Sequence, residues 1–246
     1  MGRALTFSYG IAVYGIFFGA FLYSIGFVGS LIVPKSINSG PEDTLLFSLA
    51  VNIALLSIFA LQHSVMARPG FKRVWTQIIP QSIERSTYIL LTSGALCLIF
   101  VGWQPITHVI WDVSGTSLGL GLQVTFWTGW LIVLTATFMI DHFELFGLKQ
   151  VFSHLTKREF EQSGFQKRFL YRLVRHPIMT GFLIAFWATP TMTAGHLLFA
   201  CVTIAYIYIA VTHFEEKDLV DQIGDDYKNY QKDVGSFIPG IGRKRK

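Results

Sequence analysis

The chain has 246 residues, 52% of them hydrophobic and only 14% charged, with 20 Lys and Arg against 15 Asp and Glu. A soluble domain carries about 25% charged residues, so this composition excludes an ordinary soluble enzyme; apolar residues arranged in long blocks point to lipid as the solvent. The net charge of +5 fits Lys and Arg in loops beside anionic lipid, and no nucleic-acid partner is expected.

The predicted fold class is all-α: four transmembrane helices, a C-terminal helical hairpin and a hydrophilic tail. The first apolar run, residues 8–33, is closed by Pro34. Its small residues Gly10, Ala12, Gly15, Gly19, Gly26 and Gly29 recur at near-helical spacing, which suits close helix packing. Only Arg3 precedes it and no small-residue cleavage site follows, so it reads as a retained span. After Gly40-Pro41 comes the second span, residues 45–66. Residues 68–85 form a polar loop made partly interfacial by Trp75, Ile78 and Ile79. The third span covers residues 86–102, with Trp103 as an aromatic anchor. Residues 104–121 form a loop without Lys or Arg, and the fourth span covers residues 122–146.

Residues 147–176 are polar and basic, and within them 157–175 is expected to form an interfacial helix. The last apolar run, residues 178–213, would be about 54 Å long as one helix, far more than the roughly 30 Å hydrocarbon core requires. Thr189-Pro190 and Ala194-Gly195 interrupt it, so it is expected to fold as a hairpin. The tail from Glu215 onward ends in Arg243-Lys244-Arg245-Lys246. Lys and Arg number one before the first span, one in the first loop, four in the second, none in the third, seven in the fourth and seven in the tail. With a hairpin, 19 of the 20 fall on one side, which is therefore expected to be cytoplasmic. The whole chain is expected to be one domain, with helices in 1–146 and a cofactor-binding loop, hairpin and tail in 147–246.

Polar residues near membrane depth are functional candidates. Four clusters stand at the expected cytoplasmic ends of spans: Gln62-His63, Asp141-His142-Phe143-Glu144, Arg175-His176-Pro177 and His213-Phe214-Glu215-Glu216. Each also has a structural reading. Gln62 and His63 suit interhelical hydrogen bonds, Asp141 and Glu144 suit pairing with Lys149 or Arg158, Arg175 suits an anchor, and Pro177 suits a first helical turn. No metal site is expected, because the seven histidines lack ligand spacing. Cys97 and Cys201 lie in apolar runs and read as small apolar side chains.

The stretch Tyr171-Arg172-Leu173-Val174-Arg175-His176-Pro177-Ile178-Met179-Thr180-Gly181 resembles the Arg-His-Pro-x-x-x-Gly motif of the isoprenylcysteine carboxyl methyltransferase and phospholipid methyltransferase superfamily. Glu215-Glu216-x-x-Leu219, Ile223-Gly224-x-x-Tyr227-x-x-Tyr230 and Phe237-Ile238-Pro239 follow in the superfamily's order. Three ordered motifs over about 70 residues make the resemblance strong. Upstream, Gln62-His63, Arg68-Pro69, Glu84-Arg85-Ser86-Thr87-Tyr88 and residues 141–148 resemble the NnrU-like branch, and within it the methanethiol S-methyltransferases. Met179, Ile223 and Val234-Gly235-Ser236 depart from common superfamily residues and weigh against a prenylcysteine substrate.

The resemblance implies S-adenosyl-L-methionine as cofactor, bound first of all by His176, Glu215 and Glu216. Arg172 or Arg175 suits the cofactor carboxylate, helped by the helix N-terminus at Pro177. Glu215 and Glu216 suit ribose hydroxyls or the ammonium, Gly181 suits close backbone approach, and Tyr227 and Tyr230 suit the adenine, with Tyr171 opening the motif. The expected substrate is a small volatile thiol, methanethiol, converted to dimethyl sulfide beside membrane lipid in a bacterial inner membrane. His63, Asp141 and His142 are candidate bases. The alternatives are a larger lipid or prenylcysteine substrate and a non-enzymatic accessory membrane protein.

Overall fold

The computed structural model describes residues 2–243, so Lys244, Arg245 and Lys246 of the basic terminus lie outside the described residues. In chain order the elements are α1 (Arg3–Gly29), α2 (Leu45–Ala67), α3 (Pro69–Trp75), α4 (Gln81–Gly102), β1 (Val109–Asp112), α5 (Ser117–Ile140), α6 (His142–Leu145), α7 (Leu148–Thr156), α8 (Leu170–Leu173), α9 (Pro177–Trp187), β2 (Thr191–Thr193), α10 (Ala194–Ile209), a π-helical segment (Ala210–Glu215), α11 (Glu216–Ile223) and α12 (Asp225–Asp233). Among the described residues five helices are long and apolar enough to cross a membrane: α1, α2, α4, α5 and the continuous Ala194–Ile223 rod. The protein is an all-α polytopic membrane protein.

Local chemistry explains several boundaries. α1 stops at Ser30, whose left-handed φ of 49° turns its N–H back to the Gly26 carbonyl. The fourth span ends at Ile140 rather than near 146, because Asp141 caps a new helix by accepting from the Glu144 N–H at 3.1 Å. The interfacial helix expected over 157–175 does not form. Leu148–Thr156 is helical instead, and residues 158–168 have no regular structure. Lys157 in left-handed geometry, φ 58°, ends α7. Ser163 is held by side chains rather than by a helical ladder: its N–H donates to Glu144 Oε2 at 2.9 Å and its hydroxyl to Asp141 Oδ2 at 2.8 Å.

The chain divides into two compact units. The first runs up to Thr107 and adds Asp141–Ser163. Here α1, α2 and α4 are joined at one end by polar clasps. Asn52 Nδ2 donates to the Gln104 carbonyl at 2.7 Å and its Oδ1 accepts from the Gln104 N–H at 2.8 Å. Trp103, fully buried, donates its indole N–H to the Ile37 carbonyl at 3.1 Å. Toward the other end α7 lies against α1, where a Cβ on Gly10 would come 2.6 Å from Val151 Cγ2. The core there is Val13, Met66, Tyr88, Ile89 and Phe146, with Phe17 stacked on Phe146 at 4.1 Å.

The second unit is His108–Ile140 with the residues from Gly164 onward. The expected hairpin is present: α9 and α10 are separate helices, and they meet at both ends. Near the bend His196 Nε2 contacts the Phe186 carbonyl at 2.9 Å and Phe186 packs on Phe199 at 5.0 Å. At the mouth His176 reaches Glu216 at 3.3 Å. The two limbs match in length although α9 has only 11 residues. It rises about 16 Å, and the extended residues 188–193 add up to about 20 Å, against about 33 Å for the returning helix from Ala194 to Glu215.

Extended backbone in an apolar run needs partners for its N–H and C=O groups. The loop 104–121, expected to be irregular, supplies them as β1. It pairs antiparallel with β2, Trp111 opposite Met192, and Val113 donates to the Pro190 carbonyl at 3.0 Å. Against the hairpin, α5 crosses α9 at two glycines. A Cβ on Gly129 would lie 2.8 Å from the Gly181 carbonyl oxygen, and one on Gly181 would lie 2.7 Å from the Gly129 oxygen. Backbone obstructs both, so neither can yield as a side chain would.

Gly129→Ala or Gly181→Ala is therefore expected to destabilise the protein by about 1–3 kcal/mol through overpacking. Gly15→Ala, where an added methyl meets nothing within 4 Å, is expected to be neutral or slightly stabilising. Thermal unfolding midpoints in one detergent check all three.

Candidate active site

The second unit carries a buried charged cluster built from four chain segments. Arg175 is only 4% exposed, His176 5%, Glu216 4% and Gln231 2%. Arg175 Nε donates to Glu216 Oε1 at 2.7 Å, and its Nη2 lies 2.6 Å from the same oxygen. Gln231 Nε2 donates to Glu216 Oε2 at 3.2 Å. The rest of the guanidinium points at backbone of the tail: to the Gln231 carbonyl at 3.3 Å, to the Val234 carbonyl, and to the Gly242 carbonyl at 3.2 Å. Burying two charges is offset only when every donor and acceptor is satisfied, and here the protein supplies the partners.

Backbone stitches the two ends of the motif together. The Arg175 N–H donates to the Gly235 carbonyl at 2.8 Å, and the His176 N–H to the Ser236 carbonyl at 3.2 Å. Thr180 Oγ1 donates to the Phe237 carbonyl at 2.8 Å. Val234-Gly235-Ser236 is thereby explained: a Cβ on Gly235 would fall 2.7 Å from the Ile241 carbonyl oxygen.

The adjacent carboxylates are treated differently. The π-helical segment ends at Glu215, and such segments recur at functional sites. The Glu216 side chain is 5% exposed and turned inward, whereas that of Glu215 is 42% exposed, 3.6 Å from His176 Nδ1. Burial alone pushes the His176 imidazole down in pKa. Glu215 and then Glu216 outweigh that and raise it to about 9, so the ring is a cation at neutral pH.

Tyr227 and Tyr230 are 1% and 2% exposed and lie 5.7 Å apart edge-on, with Phe165 at 5.7 and 5.2 Å. Tyr230 donates its hydroxyl to the Tyr171 carbonyl. Among the described residues the buried Tyr227 hydroxyl has no hydrogen-bond partner, and burial pushes its pKa up. Arg172 is exposed, its Nε donating to the Lys167 carbonyl at 3.1 Å. Pro177 occupies the first turn of α9, and Gly181 faces Gly129 rather than open space. Sequence reasoning missed Gln231, Phe165 and Gly235; the first two are ordinary residue types with no local signal, and only the close approach of the tail singles out the third.

The three candidate bases lie in the first unit. Tyr88 Oη is 2.9 Å from His63 Nδ1. Tyr14 Oη is 2.8 Å from His142 Nε2, and burial pushes His142 down from the usual imidazole pKa. Burial would raise the Asp141 carboxyl, but Lys149, Ser163 and the Glu144 N–H together hold it low. Among the described residues no group of three His, Cys, Asp or Glu could hold a metal ion.

Arg175→Met is expected to cost about 3–5 kcal/mol, because it removes the nearer of the two cations that hold the buried Glu216. Denaturation of the purified protein measures it. The raised pKa of His176 sets a pH dependence. Its stabilisation is fully present below the unfolded pKa near 6.5 and is lost as pH rises through about 9. The unfolding midpoint should fall across that window, and a His176→Gln variant should lack that component.

A phospholipid methyltransferase family model matches residues 116–225, most of the second unit's hairpin and carboxylate segment. The methanethiol S-methyltransferase of Mycobacterium tuberculosis is 51% identical over 239 residues, covering 97% of this chain and 98% of that protein. Methanethiol S-methyltransferase 1 of Bradyrhizobium diazoefficiens is 48% identical over 237 residues, covering 96% and 83%. Nurim of Rattus norvegicus is 31% identical over 177 residues, covering 69% and 67%. No solved structure matches. Full-length similarity at this level, together with the motif-built cluster of the second unit, shows that the chain belongs to the methanethiol S-methyltransferase family and is a multi-pass membrane methyltransferase.

Proposed function

We propose that the protein methylates a small thiol, methanethiol by the names of its relatives, with S-adenosyl-L-methionine as donor, releasing dimethyl sulfide and S-adenosyl-L-homocysteine. The observation that carries this reading is the Arg175–His176–Glu216 cluster beside an exposed carboxylate and an orphaned tyrosine hydroxyl.

The residues present fit such a donor. Tyr227 offers a buried hydroxyl without a partner. Glu215 offers a half-exposed carboxylate for an ammonium or ribose hydroxyls. Arg172, exposed, offers a cation for a carboxylate, the task that the bonds of Arg175 leave to other residues. When bound, the donor supplies a methyl group on a positively charged sulfur that departs as a neutral thioether. Glu215 supplies negative potential for that positive charge. Arg175 and Glu216 fix α9, the carboxylate segment and the tail relative to one another, which is the positioning that in-line transfer needs. Gly181 serves the α5–α9 contact.

The thiol must lose its proton, since a thiolate is the nucleophile. We assign the acceptor to His142, whose lowered pKa keeps it neutral at pH 7, ahead of Asp141, which Lys149 and Ser163 hold as a carboxylate of low basicity; His63 is the second choice. The Lys and Arg distribution supports a site on the cytoplasmic face of a bacterial inner membrane.

Purified protein given methyl-labelled donor and methanethiol is expected to release labelled dimethyl sulfide. Donor binding without turnover would overturn the thiol assignment and favour a larger lipid substrate; absence of both would favour an accessory role. His142→Gln is expected to lower kcat by about 10²–10⁴-fold with donor affinity unchanged in calorimetry. Unchanged kcat would remove His142 and leave His63 to the same test.

A further inference from the structure

The segment that precedes the Arg-His-Pro motif carries exposed apolar and basic side chains beyond those that the proposed donor site uses. Residues 164–173 of the second unit carry Lys167, Arg168 and Arg172 with no acidic residue among them, and all three cations are exposed. Between them stand large apolar side chains with much of their surface exposed: Phe169 is 72% exposed, Leu173 55% and Phe165, which also packs on the buried tyrosines, 39%. Phe169 is also strained. It holds φ at 37°, a region that bulky residues avoid. A folded protein in water gains nothing from straining its backbone around an outward phenylalanine. The arrangement is repaid where aromatic rings and cations meet a lipid headgroup layer. The place in the chain is right for that layer, since Leu173 is four residues before Pro177, where the apolar hairpin begins.

We propose that residues 164–173 form a docking surface for the headgroups of anionic phospholipids, with Phe169 and Leu173 inserted at the interface and Lys167 and Arg168 on the phosphates. Charge complementarity decides for anionic lipid: basic residues near such a surface are attracted within about a Debye length, and a zwitterionic surface offers no comparable field. The surface also adjoins the aromatic pair of the site. Lys167 Nζ lies 5.1 Å over the Tyr230 ring, and Phe165 packs on both Tyr227 and Tyr230. Lipid binding therefore orders the segment that covers those rings. This consequence, a cofactor affinity that rises with membrane charge, rests on the proposed donor site.

The test uses the full chain in nanodiscs of phosphatidylcholine alone or with a third of phosphatidylglycerol. A spin label at Phe169→Cys, in a Cys97→Ala, Cys201→Ala background, reports immersion. The label is expected to become less accessible to a water-soluble relaxant, by about threefold or more, when phosphatidylglycerol is present, and 0.5 M salt or Arg168→Gln should reverse the change. Equal accessibility in both bilayers overturns the docking surface. So does an equal response to soluble glycerol phosphate over neutral lipid, which would make the ligand a free anion. Donor affinity in the neutral bilayer tests the cofactor site separately. The unlabelled chain is expected to bind the donor several-fold more tightly in the anionic bilayer, and equal affinities there alongside a responding label would overturn only the coupling.

Discussion

The ion pair between Arg175 and Glu216 is the interaction on which the second unit depends. It joins the start of α9 to the start of α11 across 41 positions of sequence, and Arg175 then fastens the tail through the carbonyls of Gln231, Val234 and Gly242. Two charges removed from water are a net cost unless geometry and hydrogen bonding are complete. Here Glu216 receives Arg175, His176 and Gln231 together. The gain is a fixed register of four chain segments, a specificity that apolar packing between helices in lipid supplies poorly.

That register divides two adjacent glutamates into different tasks. Glu216 belongs to the internal network, while Glu215, at the end of the π-helical segment, remains half exposed beside a cationic His176. The methyltransferase reading gains from this division. A site for a cationic donor needs a carboxylate at its surface, and a carboxylate held by an arginine does not serve. The Tyr227 hydroxyl, buried without a partner, is a polar group that a ligand would satisfy, at a place where an unmade bond otherwise costs stability.

Membrane physics accounts for the features that look least regular. The helix of the hairpin's first limb is short, yet together with its extended continuation it matches the returning helix in length, and β1 supplies the backbone hydrogen bonds which that extension needs. In the first unit, Tyr14 of α1, His63 of α2 and Tyr88 of α4 place polar groups on otherwise apolar helices, each satisfied by a neighbour, as polar groups in lipid must be.

The sequence by itself determined the solvent, the first four spans, the hairpin and the family, because each of these is written in local runs of residue type: apolar length, Pro-Gly interruption, and motifs whose members are close together; that the returning limb is itself a span-length helix only the structure shows. Residues 122–146 and 157–175 were misread in detail because Asp141 and Ser163 engage side chains at a distance, which no local periodicity reports. The site was legible as a set, since Arg175, His176, Glu215, Glu216, Tyr227 and Tyr230 all stand in one region. Their division of labour was not. Only the tertiary structure decided that Arg175 turns inward to Glu216, that Gly181 meets Gly129, and that Gln231 and Gly235 belong to the same cluster. The reason is that a side chain's role depends on which partners fold against it, and those partners lie up to 67 residues away.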